Sequence, residues 1–171
     1  MVVDGVRFDG DIPPETKERI GKFLNLILVR GNFARSTGAR LVPKEVKMYK
    51  RPEDEKPQVR VVFEITVDED MLNPAGNVHG GCIVYMIDVC SSVALAALGM
   101  CMNRPNSFVS QALNTTFHAP APLGTKLELV NTTTAFGGRT VAARTEIWDV
   151  TNRRLVASGV HNKMQPSQPK L

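Results

Sequence analysis

The sequence predicts an α+β domain: a curved antiparallel β-sheet wrapped around one long central α-helix, with an N-terminal helical extension. Three observations predict it. The run Cys82 to Leu98 is apolar almost throughout, with Asp88 set in its middle. Four strand-like segments joined by short turns follow it, and short turns between consecutive strands favour antiparallel pairing. Two more strand-like segments precede it. A helix apolar on nearly all sides has to be surrounded rather than covered on one face, and a sheet folded round it does that.

The chain of 171 residues is long enough for one domain with a real core and short for two. Its 43% hydrophobic and 22% charged residues fit a soluble globular protein. A net charge of +4, with Lys and Arg interleaved among Asp and Glu, suits attraction to an anionic small molecule. No basic run or aromatic-basic module points to nucleic acid. Cys82, Cys90 and Cys101 give an odd count without framework spacing. That suits a reducing compartment, the cytoplasm or alternatively mitochondria. His79, His118 and His161 show no metal-ligand spacing, so no metal is expected. Asp4, Asp9 and Asp11 near the start suit neither a signal peptide nor a transit peptide. Asp88 and Ser91-Ser92 argue against a membrane span.

Taken in order, residues 1–13 show no period and read as a loosely docked arm. Glu15 to Val29 reads as an amphipathic helix, with Pro13-Pro14 at its entry and Ile20, Phe23, Leu24, Ile27 and Leu28 at helical spacing. Gly31 to Gly38 reads as a loop, and Leu41 to Tyr49 as a short strand. From Gln58, the residues Val59, Val61, Phe63, Ile65 and Val67 alternate with polar ones, a half-buried strand. After the central helix, Phe108 to Phe117 is strand-like, with Val109, Leu113 and Phe117 on one face and Ser110 on the other. Lys126 to Phe136 and Thr140 to Val150 form a hairpin across Gly137-Gly138. Thr151-Asn152-Arg153 turns into Leu155 to Met164. The units are an extension over 1–50, a main domain over 51–165 and a tail over 166–171.

Chemistry concentrates at the start of the central helix. A helix N-terminus presents unpaired N–H groups and partial positive charge. Gly80 and Gly81 carry no Cβ, so a substrate can approach that backbone. A carbonyl oxygen gaining negative charge would be stabilised there. Asp88, an acid in an apolar helix, suits a general base or a nucleophile. Eight positions separate Gly80 from Asp88, about 12 Å along one helix axis. One carbonyl carbon cannot reach both within a single chain. If both act, they come from two copies, which implies a two-fold dimer with sites at its interface.

The motif N-x-x-G-x-x-H-G-G, formed by Asn73, Gly76, His79, Gly80 and Gly81 with Asp88 seven residues later, resembles that of the hotdog-fold acyl-CoA thioesterases. The similar branch includes phenylacetate-pathway thioesterases and thioesterase superfamily member 2, the acyl-CoA thioesterase 13 type. The resemblance runs from about Gln58 to Met164. It implies a hotdog fold, a homodimer or dimer of dimers, and hydrolysis of acyl-CoA with no cofactor beyond the coenzyme A of the substrate. It further implies that Asn73 holds the water or the thioester, His79 supports the loop, and the Gly80 N–H receives the thioester oxygen. Asp88 of the facing subunit would be the base or nucleophile, and Ser110 would position water. Gly81 would line the substrate site. Arg139, beside the Gly137-Gly138 turn, is a candidate for a phosphate, with a simple surface charge as the favoured reading. The rival readings are a non-catalytic acyl-CoA binding or sensing module, and a hydratase. The hydratase is disfavoured because His79 precedes Asp88 rather than following it.

Overall fold

The computed structural model describes residues 5–166. In chain order the elements are β1 (Arg7–Asp9), α1 (Pro14–Val29), α2 (Arg35–Arg40), β2 (Val42–Lys50) and β3 (Pro57–Thr66). After a 3-10 turn at Glu69–Met71 come α3 (Gly80–Cys101), β4 (Val109–Phe117), β5 (Lys126–Phe136), β6 (Thr140–Asp149) and β7 (Arg154–Met164). The strands form one seven-stranded sheet in the order β1-β2-β3-β5-β6-β7-β4. Every neighbouring pair is antiparallel except β1 with β2. The sheet curves round α3, as the apolar pattern of that helix requires.

The expected hairpins β5–β6 and β6–β7 are present. The strand after α3 departs from the expected order. β4 pairs with β7 at the end of the sheet and not with β5. Its link to β5 contains Pro120, Pro122 and Gly124 and is tied down elsewhere. The Val78 N–H, at the foot of α3, donates to the Ala121 carbonyl at 2.9 Å. That anchor carries the chain across the helix end instead of letting it reverse.

Two local expectations are corrected. The stretch read as a loose arm contains β1, and Ile12 is buried; Met1 to Asp4 lie outside the described residues. Three residues are too few to show a period, and β1 is fixed by ion pairs, Asp9 with Lys47 and Arg7 with Glu45. The stretch read as a loop ends in α2, which Ser36 and Arg40 pin to Asp70. Both elements depend on distant partners rather than on local pattern.

α1 starts with Pro14 at its first position, where the missing N–H is harmless. It buries Ile20, Leu24 and Leu28 against the body and leaves Leu26 outward. The central helix is wrapped over only part of its length. From Val93 to Met100 every residue is buried. Before that, Gly81, Val84, Tyr85, Asp88, Val89 and Ser92 keep some exposure along one flank. Ile83, Met86, Ile87 and Cys90 of the first half are buried as well, so only that flank is left partly open. By length and composition α3 could cross a membrane, but 61% of its most apolar window is buried inside this fold. Leu95 and Leu98 are fully buried, each worth about 1.5–3 kcal/mol of transfer free energy.

Candidate active site

Asp88 lies on the open flank of α3, and its side chain is 46% exposed within the single chain. It is not the enclosed acid that the apolar run suggested. Its carboxylate faces a row of donors on β4 and β7. Ser110 Oγ is 3.4 Å from Asp88 Oδ1, and His161 Nε2 is 2.9 Å from Ser110 Oγ. Ser91 Oγ, on α3, is 2.7 Å from His161 Nδ1. With the imidazole proton on Nε2, Ser91 donates to His161, His161 to Ser110 and Ser110 to Asp88. Each group then donates once, and the chain of donors ends on the carboxylate.

Two features of the backbone assemble this row. Gly159 on β7 has no side chain, and the Ile87 side chain sits 3.0 Å from where a Cβ would stand. α3 therefore closes on β7 and brings Asp88 to His161. The register of β4 on β7 also shifts between Ser110 and Ala112. This bulge turns Ser110 to the inner side. Simple alternation placed Ser110 on the face opposite Leu113, and the bulge corrects that.

His161 was missed as a site residue. The available signal was strand parity. His161 and Lys163 share their face of β7 with Ala157 and Gly159, the buried side. Two titratable groups on the inner face of a strand mark a built polar site. Lys163 Nζ donates to Ser92 Oγ at 2.7 Å, and Ser92 Oγ donates to the Asp88 carbonyl at 2.6 Å. Burial lowers the Lys163 ammonium below its ordinary range, although Asp88 opposes the shift.

His161 is held down at about 4, first because burial penalises the charged ring and then because Lys163 repels it; attraction to Asp88 opposes both. The ring is therefore neutral near neutral pH. The unfolded chain takes up this proton near 6.5 and the folded chain only near 4. Between those values the unfolded state binds more protons, so stability rises with pH there. The stabilisation is complete above about 6.5 and is lost as pH falls towards 4. The thermal unfolding midpoint is expected to fall across that window, and His161→Gln to flatten that part of the curve. Parallel midpoint curves for the two proteins would contradict this.

The other half of the motif sits at the start of α3. His79 caps the helix, its Nδ1 accepting the Gly81 N–H at 2.9 Å. The Cys82 and Ile83 N–H groups bond the His79 carbonyl. Gly81 thus has no amide left to offer, and it lines an apolar groove beside Val84 and Asp88 instead. The Gly80 N–H, first in the helix, has no acceptor among the described residues. Asn73 Oδ1 accepts from the Ala75 and Asn77 N–H groups at 2.9 and 3.2 Å and so shapes the loop. Its Nδ2 has no partner among the described residues. Asn73 and Gly80 line one cleft of about 430 Å³ with Phe117 and His118.

Asp88 and Gly80 line different grooves. Two grooves contain Asp88, one with Leu26, Val84 and Leu113 and one with Ser92, Ser110 and Lys163. Neither includes Gly80. Arg139 lines neither these nor the Gly80 cleft. Arg154 bonds the Pro120 carbonyl and pairs with Asp149, a structural role. Among the described residues no three His, Cys, Asp or Glu side chains are grouped to hold a metal.

Residues 75–156 match the thioesterase superfamily. Human acyl-coenzyme A thioesterase 13 is 32% identical over 107 residues, spanning 61% of this chain and 71% of the human protein. Its mouse counterpart is 29% identical over 104 residues, with the same coverage of both chains. Zebra fish thioesterase superfamily member 2 has the same fold, with a TM-score of 0.71 at 18% identity over 87% of this chain and 97% of that one. The mouse thioesterase superfamily member 2 structure superposes with a TM-score of 0.56 at 27% identity, over 63% and 81% of the two chains. The motif at the head of α3, the sheet wrapped round that helix and these relationships together place the chain in the thioesterase superfamily, as a hotdog-fold thioester hydrolase of the acyl-CoA thioesterase 13 type.

Proposed function

We propose that the chain hydrolyses acyl-CoA to a free acid and coenzyme A, at two equivalent sites formed between two copies. The observation that carries this is the separation of the reacting groups. The Gly80 amide and the Asp88 carboxylate open into different grooves of one chain, and each groove is half of a site. A two-fold arrangement sets the Gly80 cleft of one copy against the Asp88 flank of the other. β4 supports that arrangement, being the last strand of the sheet with one side unpaired and with Val109 and Phe117 exposed. Such an edge invites pairing with another strand. The relatives named acyl-coenzyme A thioesterase 13 supply the substrate class, and the positive net charge suits the phosphates of coenzyme A.

In this reading Asp88 takes a proton from water, with Ser110 placing that water and His161 holding Ser110. The water oxygen bonds to the thioester carbon, and the carbonyl oxygen takes up negative charge against the partner's Gly80 N–H. Asn73 Nδ2 completes the contact. The intermediate collapses by breaking the carbon–sulfur bond, and the proton on Asp88 passes to the leaving thiolate. The test is thiol release from acyl-CoA across a dilution series, with oligomer mass measured alongside. Activity is expected to disappear as the oligomer dissociates. A fully active monomer would overturn the shared site.

A further inference from the structure

The apolar groove beside Asp88 takes one of its walls from outside the family match. Leu26 and Ile27 at the end of α1, with Phe33 in the loop behind it, face Val84, Val89 and Leu113. The family match begins only at residue 75. The groove has a volume of about 710 Å³ and holds Asp88 among its lining residues. Phe33 stands edge-on to Tyr85, their ring centroids 5.6 Å apart, and forms part of the rim. Leu26 and Phe33 are 53% and 78% exposed, large apolar side chains left facing solvent at the groove. An apolar cleft with one reacting carboxylate in its lining has the composition of a small-molecule site, mostly apolar with few polar groups.

We propose that the N-terminal extension is the acyl-selecting element of this enzyme, its Leu26–Phe33 segment and the α3 flank gripping the tail of a linear fatty acyl group whose thioester lies at Asp88. This rests on the hydrolytic reading above. A linear chain suits the groove better than a single ring. A benzene ring needs only about 150 Å³ of cavity, whereas this cleft is several times larger, and Leu26, Ile27, Val84, Val89 and Leu113 give it more aliphatic than aromatic lining. Contact along such a wall makes each buried methylene worth about fourfold in selectivity. The efficiency of hydrolysis should therefore climb with chain length until the groove is filled.

The test compares kcat/KM for acetyl-CoA through palmitoyl-CoA in the wild-type protein, Leu26→Asp and Phe33→Ala. Leu26 is half exposed, so a carboxylate there spoils the wall without burying a charge in the core. Leu26→Asp is expected to lower kcat/KM for palmitoyl-CoA at least about tenfold more than that for acetyl-CoA. Phe33→Ala should weaken the preference for long chains less. Equal losses at every chain length, or an unaltered slope, would overturn the proposal. So would a loss of oligomer mass in Leu26→Asp with the slope intact, since the groove would then be a subunit contact. A wild-type protein that hydrolyses no acyl-CoA removes the reaction itself and this inference with it. Hydrolysis with a slope indifferent to Leu26 and Phe33 removes this inference alone.

Discussion

Asp88→Asn is expected to lower kcat/KM for acyl-CoA hydrolysis by roughly a hundred- to ten-thousandfold, the usual contribution of a positioned general base. The substitution keeps the shape of the side chain. The Ser110 hydroxyl can still donate to an amide oxygen at the position of Asp88 Oδ1, 3.4 Å away. Only the capacity to accept a proton from water is lost. Because the Asp88 side chain is 46% exposed on the flank of α3, a neutral amide there leaves no buried group unpartnered, and the thermal midpoint should move little. KM should also change little, since the thioester is held by the Gly80 end. Hydrolysis at the wild-type rate across a panel of acyl-CoAs would show that Asp88 is not the base.

The two groups proposed to react were legible through spacing. Gly80 and Asp88 sit too far apart on one helix to serve one carbonyl, and that arithmetic needs no tertiary information. The β5–β6–β7 meander was equally legible, because Gly137-Gly138 and Thr151-Asn152-Arg153 announce tight turns. What stayed hidden depended on partners remote in the chain. Nothing near residue 161 says that this histidine will lie against Ser91 and Ser110; only the crossing of α3 over β7 at Gly159 brings them together. The bulge that turns Ser110 inward is a property of the β4–β7 register and has no local signature. α2 and β1 are short and held by ion pairs across the fold, so periodicity had nothing to read. The exposure of Asp88 was misjudged for a related reason. Apolar residues round most of a helix say that it is largely covered, not which flank stays open.

Gly80→Pro separates the amide from the rest of the motif. Proline at the first helical position removes an N–H that the helix does not use and preserves the backbone angles the helix needs. The residue before a proline must be extended, and His79 already is, with φ −62° and ψ 136°. The new Cβ meets the Phe117 ring at 3.3 Å, and Phe117 is 54% exposed and free to yield. Gly80→Ala makes the same contact and keeps the N–H, so it is the control. Loss of one oxyanion donor lowers kcat by roughly a hundred- to a thousandfold, and that is the effect expected for Gly80→Pro, with Gly80→Ala retaining most activity. Co-expression with Asp88→Asn then tests where the two groups meet. A mixed dimer has one site built from the intact Asp88 of one copy and the intact Gly80 of the other, while its second site lacks both. With about half the dimers mixed, activity should return to about a quarter of the wild-type level, from two proteins each nearly inactive alone. If the amide and the carboxylate worked within one chain, no mixture of the two variants could restore anything.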